Sequence, residues 1–134
     1  MEHITLTIPP QTRGLHKITH LISRELPKGA SGIVHLFLQH TSASLLITEG
    51  ADSEVVQDLE NWMTGLVVED NSLYTHTYEG SDDMPAHIKT ALTQSSLSIP
   101  FSNGTLLLGT WQDVFLWEHR NHAGARKVVV SLVL

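Results

Sequence analysis

The chain has 134 residues, no cysteine and a formal net charge of −6. Without thiols there is no disulfide scaffold, no thiol catalysis and no cysteine-ligated zinc or iron–sulfur site. An excess of 14 acidic over 8 basic residues argues against a general binder of nucleic acid or anionic membrane.

Size scaling takes about 21,000 Å² of unfolded surface to about 7,000 Å², enough burial for one independent core, and residues 1–134 read as a single domain. The opening Met1-Glu2-His3-Ile4-Thr5-Leu6 has no basic leader, and no apolar run reaches membrane-spanning length. A soluble, cytoplasmic protein is the expectation. Nine histidines outnumber the lysines and arginines together. Any transition-metal site must therefore be built from imidazole and carboxylate.

In chain order, His3 to Ile8 alternates apolar and polar residues at strand period and ends at Pro9-Pro10. Arg13 to Ile18 is a second strand, followed by a short helix from Thr19, its expected cap, to Leu26. Gly32 to Gln39 is strongly strand-like, and Ala43 to Thr48 follows as its expected partner. Asp52 to Leu66 is the clearest helix, with Val55, Val56, Leu59, Trp62, Met63 and Leu66 on one stripe. Residues 67 to 82 are a polar loop. A second helix spans Met84 to Gln94, with Asp83 or Met84 as cap and Pro85 in its first turn. Leu97 to Phe101 turns at Ser102-Asn103-Gly104 and returns through Leu106 to Leu108. Val114 to Glu118 and Lys127 to Leu134 complete the strands. Strands at both ends with two main helices between them define an α+β fold of mostly antiparallel sheet. The last strand is apolar on both faces, which predicts that a neighbouring subunit covers one of them.

Three histidines lie where polar residues cluster: His40 in His40-Thr41-Ser42-Ala43-Ser44, His76 in the long loop, and His87 in the first turn of the second helix. Three protein ligands with an open position define a catalytic zinc site. Spacing alone leaves two readings open, a shared metal or three unrelated histidines. Glu49, Glu79 and Glu118 each flank an element and suit a ligand, a supporting partner or a general base. Asp82 and Asp83 read first as helix caps, with orientation of His87 as the sharper alternative. Arg120, Arg126 and Lys89 are the candidates for holding an anion, and Gln112 is the functional choice within Gly109-Thr110-Trp111-Gln112. Ser42 and Ser44 are read as hydrogen-bond donors, since Gly-x-Ser-x-Gly is missing.

Together, His40-Thr41-Ser42-Ala43-Ser44-Leu45, the run from Tyr74 through Glu79-Gly80 and Asp82-Asp83-Met84-Pro85-Ala86-His87 to Lys89, Gly109-Thr110-Trp111-Gln112, and Glu118 with Arg126 resemble the YjbQ-like family. One departure is Glu49-Gly50, where the family commonly has Glu-Asn. The resemblance implies a sandwich-like α+β fold, assembled as a homotrimer with its sheets around the threefold axis. It implies a polar pocket in which His40, His76 and His87 hold a divalent metal, with Zn²⁺ the natural ion for imidazoles. The label often attached to the family, secondary thiamine-phosphate synthase, implies condensation of an aminopyrimidine pyrophosphate with a thiazole phosphate. The resulting expectation is a metal-dependent enzyme for a small phosphorylated or anionic molecule. Glu118 or Glu49 would be the base, Gln112 would assist, and Arg126, Arg120, Lys89, Ser42 and Ser44 would bind the ligand. The alternative is a non-catalytic trimer that binds metal or metabolite.

Overall fold

A computed structural model describes residues 2–134 as two antiparallel sheets with three α-helices, the expected α+β class. The elements run β1 (Glu2–Ile8), β2 (Gly14–Lys17), α1 (Thr19–Ser23), β3 (Gly32–Leu38), β4 (Ala43–Glu49), α2 (Ser53–Leu66) and α3 (Asp83–Leu92). They continue with β5 (Ser96–Ser102), β6 (Thr105–Leu106), β7 (Gln112–Glu118) and β8 (Arg126–Val133). A 3₁₀ turn at Asn71–Leu73 interrupts the long loop before α3. One sheet is ordered β1-β8-β3-β5-β6 and the other β2-β7-β4.

Period-two alternation sorts the strand residues between layers. Val114 and Leu116 of β7 join Leu45 of β4 in facing Val34, Leu36, Val128 and Val130 of the larger sheet, forming the main core. Full burial of each such side chain contributes about 1.5–3 kcal/mol. Trp117 points the other way, into a smaller cluster with Met63 and Val67 beneath α2. The accessible surface, 7252 Å², is close to the value size scaling predicts for a chain of this mass.

Several local expectations are corrected. β4 does not pair with β3; it enters the smaller sheet and pairs with β7 along its whole length. Thr19 does not cap α1. Its hydroxyl donates to Asp113 Oδ1 at 2.6 Å and accepts from the Val114 N–H. Asp52 does cap α2, accepting from the Glu54 N–H at 2.9 Å. Trp62 and Leu66 of its apolar stripe face solvent, because only Met63 reaches the small cluster fully. The turn at Asn103-Gly104 has positive φ at both residues, 52° and 76°, as a tight hairpin requires.

The inner face of β8 is fully buried at Val128, Val130 and Leu132. On its outer face Val133 is exposed, and so are Ile33 and Phe37 of the neighbouring β3.

Candidate metal centre

The loop between α2 and α3 is pinned so that its end returns to the start of α3. Asp70 accepts from Ser72 at the 3₁₀ turn, and the Tyr74 hydroxyl donates to the Val68 carbonyl at 2.8 Å. Gly80, at φ +105°, makes the last bend. This brings His76 and Glu79 beside the first turn of α3, where Asp83 and His87 lie four residues apart on one face. One donor atom from each of His76, Glu79, Asp83 and His87 lies within 4.8 Å of all the others.

Asp83 Oδ2 is the hub. It is 2.6 Å from His76 Nε2 and 3.1 Å from His87 Nε2, and Glu79 Oε2 is 3.3 Å from His76 Nε2. His87 Nδ1 lies 2.9 Å from the Thr41 carbonyl, which only accepts, so this nitrogen carries the proton. In a neutral His87 ring the Nε2 lone pair therefore faces a carboxylate oxygen. Two acceptors at that distance call for a cation between them, either a proton or a metal ion. Donors about 2.1 Å from a tetrahedral zinc are about 3.4 Å apart, so separations of 3.1 and 3.3 Å need little adjustment, while the 2.6 Å contact of His76 Nε2 with Asp83 Oδ2 has to open by about 0.8 Å. The donor set fits a small divalent ion.

Arg120 closes the inner side. Its Nε donates to Asp82 Oδ2 at 3.0 Å, Nη1 to Asp83 Oδ1 at 2.6 Å and Nη2 to the Glu79 carbonyl at 3.0 Å. Burial opposes ionisation of Asp82 and Asp83. The N–H of Asn121 and the Arg120 guanidinium outweigh it at Asp82, and hydrogen bonding with His76 and the Arg120 charge outweigh it at Asp83. Both carboxyls are held below their ordinary range. The Asp82 and Asp83 carboxylates face the one guanidinium and the Glu79 carboxylate stands beside His76, so acidic groups outnumber the arginine at a site that a divalent cation would suit.

Of the three expected imidazoles, the structure brings His76 and His87 together, and His40 is not in their group. His40 Nε2 accepts the Lys127 N–H at 2.8 Å, so the lone pair that would bind metal is occupied. Burial, with the charges of Arg126 and Lys127, pulls the His40 pKa down, in keeping with a neutral acceptor ring.

Glu118, Glu49 and Gln112 do not converge either. Ala43 pairs with Glu118 and Glu49 with Gln112, at opposite ends of the β4–β7 ladder, six residues or about 20 Å apart. Glu118 is fully buried and ion-paired with Arg126, whose Nη2 also donates to the Ser42 hydroxyl at 2.9 Å. Glu49 accepts from the Ala51 N–H at 2.7 Å, and Gln112 from the Gly109 N–H at 2.8 Å. Lys89 is buried within α3 and has no carboxylate within 4.0 Å among the described residues; desolvation lowers its pKa. Ser44 is buried, hydrogen-bonded to His119 Nε2 at 2.7 Å and to Thr93.

The carboxylates completing the group are Glu79 and Asp83. Their signal was present as His76-x-x-Glu79 and Asp83-x-x-x-His87, spacings that bring side chains together on helices and tight turns. Asp82 makes no side-chain cap, and Asp83 orients histidines instead of capping the helix.

Fold and site define a class: small α+β proteins of two antiparallel sheets that gather imidazoles and carboxylates where a helix begins. Comparison with known proteins gives the family. The sequence profile of the UPF0047 protein YjbQ-like family matches residues 3–134, and the chain belongs to that family. It is 44% identical over 131 residues to the UPF0047 protein YjbQ of Escherichia coli O157:H7, covering 96% of this chain and 94% of that one. It is 47% identical over 129 residues to the UPF0047 protein sll1880 of Synechocystis sp., covering 95% and 88% respectively. Among solved structures, the conserved hypothetical protein TT1486 from Thermus thermophilus superposes with a TM-score of 0.86 at 35% identity, covering 97% of this chain and 99% of that one.

Proposed function

We propose that the chain is a metal-dependent enzyme acting on a small phosphorylated or otherwise anionic molecule. One divalent ion, Zn²⁺, would be held by His76, Asp83 and His87. The observation that carries this reading is the His87 ring, whose proton is committed to the Thr41 carbonyl while its other nitrogen faces Asp83 Oδ2 at 3.1 Å. When bound, the ion would polarise a substrate oxygen and offset its developing charge. Glu79, half-exposed and beside His76, is the group suited to take a proton from water or a substrate hydroxyl. The ion would take the place of the proton between His76 Nε2 and Asp83 Oδ2, while the Thr41 carbonyl holds His87 in orientation.

A second reading is a non-catalytic binding protein, favoured by the state of the basic residues. Arg120 and Arg126 already spend their donors on carboxylates, so neither is free to hold a phosphate without rearrangement. In either reading a homotrimer is proposed, with the exposed Ile33, Phe37 and Val133 covered by a neighbouring copy. A monomeric mass by sedimentation at micromolar concentration would remove the trimer.

Elemental analysis of untagged protein, followed by a substrate screen of wild type beside His87→Ala, separates the readings. The screen includes an aminopyrimidine pyrophosphate with a thiazole phosphate, the pair for thiamine-phosphate synthesis. Turnover that requires both zinc and His87 supports the enzyme. Bound zinc or a tightly bound small molecule without turnover supports the binding protein, and no stoichiometric metal overturns the metal-dependent enzyme.

A further inference from the structure

The site's preference among metals is written in how Asp83 is divided. Its Oδ2 faces both imidazole nitrogens, while its Oδ1 takes a 2.6 Å charge-assisted bond from Arg120 Nη1. The same guanidinium grips Asp82 Oδ2 and the Glu79 carbonyl, fixing the backbone that carries the exposed carboxylate. Arg120 is itself anchored, since its N–H donates to Glu118 Oε2 at 3.1 Å and Glu118 is held by Arg126. Gly80 fits this arrangement tightly: a Cβ there would lie 3.0 Å from Asp82 Oδ1 and 4.0 Å from Arg120 Nη2. Three of the five guanidinium N–H groups are committed to the site's own oxygens.

From this geometry we infer that Arg120 is a positioning residue that sets metal selectivity, an inference resting on the metal-site reading above. By occupying Oδ1 it keeps Asp83 a single-oxygen donor. That favours a small four-coordinate ion such as Zn²⁺ over ions that want six or more oxygens and take carboxylates in two-oxygen mode. A freed Asp83 offers both oxygens, and a loosened Glu79 adds its own, which suits Mn²⁺ better than zinc.

The test compares Zn²⁺ and Mn²⁺ dissociation constants, measured by competition with a chromophoric chelator, for wild type, Arg120→Gln and Asp82→Asn. Coulomb's law alone predicts that deleting a positive charge tightens every cation. Positioning predicts the opposite sign for zinc. The expected result for Arg120→Gln is a 10- to 100-fold loss of zinc affinity, the range seen when an outer support is removed. Manganese affinity would be held or improved, so the preference narrows. Asp82→Asn loosens the guanidinium without touching Asp83 and should shift both ions in the same directions by less; it carries the test if Arg120→Gln fails to fold. Both ions tightening together would make Arg120 a mere counter-charge. Equal weakening, or no change, would likewise overturn its selective role. If wild type binds neither ion, the metal reading itself has failed, a result distinct from any of these.

Discussion

Glu118 and Arg126 meet as a two-point ion pair, Nε to Oε1 at 2.7 Å and Nη2 to Oε2 at 2.5 Å, linking the end of β7 in one sheet to the start of β8 in the other. Both are buried, and Arg126 extends the link to the Ser42 carbonyl and hydroxyl, next to the Thr41 carbonyl that orients His87. A buried pair gains little over a well-packed apolar pair, but removing one partner strands the other charge. Arg126→Ala is expected to cost about 3–5 kcal/mol in urea unfolding. Glu118→Gln should cost a comparable amount, because it leaves the buried guanidinium without a counter-charge and turns an amide NH2 toward donors that a carboxylate oxygen served. Equal, near-zero costs for both would mean the pair bears no structural load.

His119 makes stability depend on pH in a window whose upper part, above about 5, lies clear of the ordinary carboxylate range. Burial first, then the charges of Lys89 and Arg126, push its pKa down to about 3, so the folded protein keeps it neutral. The unfolded chain protonates it near 6.5, hence lowering pH favours unfolding. Its contribution is complete above about 6.5 and declines toward 3 at up to about 1.4 kcal/mol per pH unit. Urea midpoints in the presence of chelator should be flat from pH 8 to 7 and fall between pH 6 and 5. His119→Gln, which can still donate to Ser44, should flatten that fall. An unchanged slope in the variant would assign the effect to another histidine.

At Gly50 the chain leaves no room for a side chain. A Cβ there would lie 1.9 Å from Asp113 Oδ2 and 2.7 Å from its Cβ, so all of Asp113 would have to move. Asp113 holds the Thr19 hydroxyl at 2.6 Å, which in turn accepts the Val114 N–H. Gly50→Asn is expected to lower stability by about 1–3 kcal/mol, the usual cost of overpacking. Asp113→Ala should partly relieve it, giving a non-additive double-mutant cycle. Additive losses would place the strain elsewhere.

The strands and both main helices are legible in the sequence because alternation and the 3.6-residue stripe are local signals. The passage of β4 into the second sheet is not, because a four-residue link from β3 looks like a hairpin connection whichever sheet receives it. The site is divided in the same way. His76 and His87 stand out by residue type. Whether Asp83 caps a helix or orients imidazoles depends on Arg120, 37 positions away. Whether His40 can bind a metal depends on a backbone N–H 87 positions away. Residue type reveals a chemistry in reserve, and distant partners decide whether it is already spent.

That distinction makes the histidines separable by experiment. A ligand that binds only the folded state stabilises it by RT ln(1 + [L]/Kd), about 2.7 kcal/mol when zinc is present at a hundred times its Kd. For a chain of this size that is roughly a 10 °C rise in Tm, measured by adding Zn²⁺ to chelator-stripped protein. His76→Ala and His87→Ala each remove a nitrogen facing Asp83 and should abolish the rise. His40→Ala should keep it whole, because the nitrogen it deletes serves the Lys127 N–H; its own cost is the lost hydrogen bond, about 0.5–1.5 kcal/mol, seen equally with and without zinc. If His40→Ala also erased the zinc response, the ring would have to turn from Lys127 on metal binding. The centre would then be the three-imidazole site expected from the sequence.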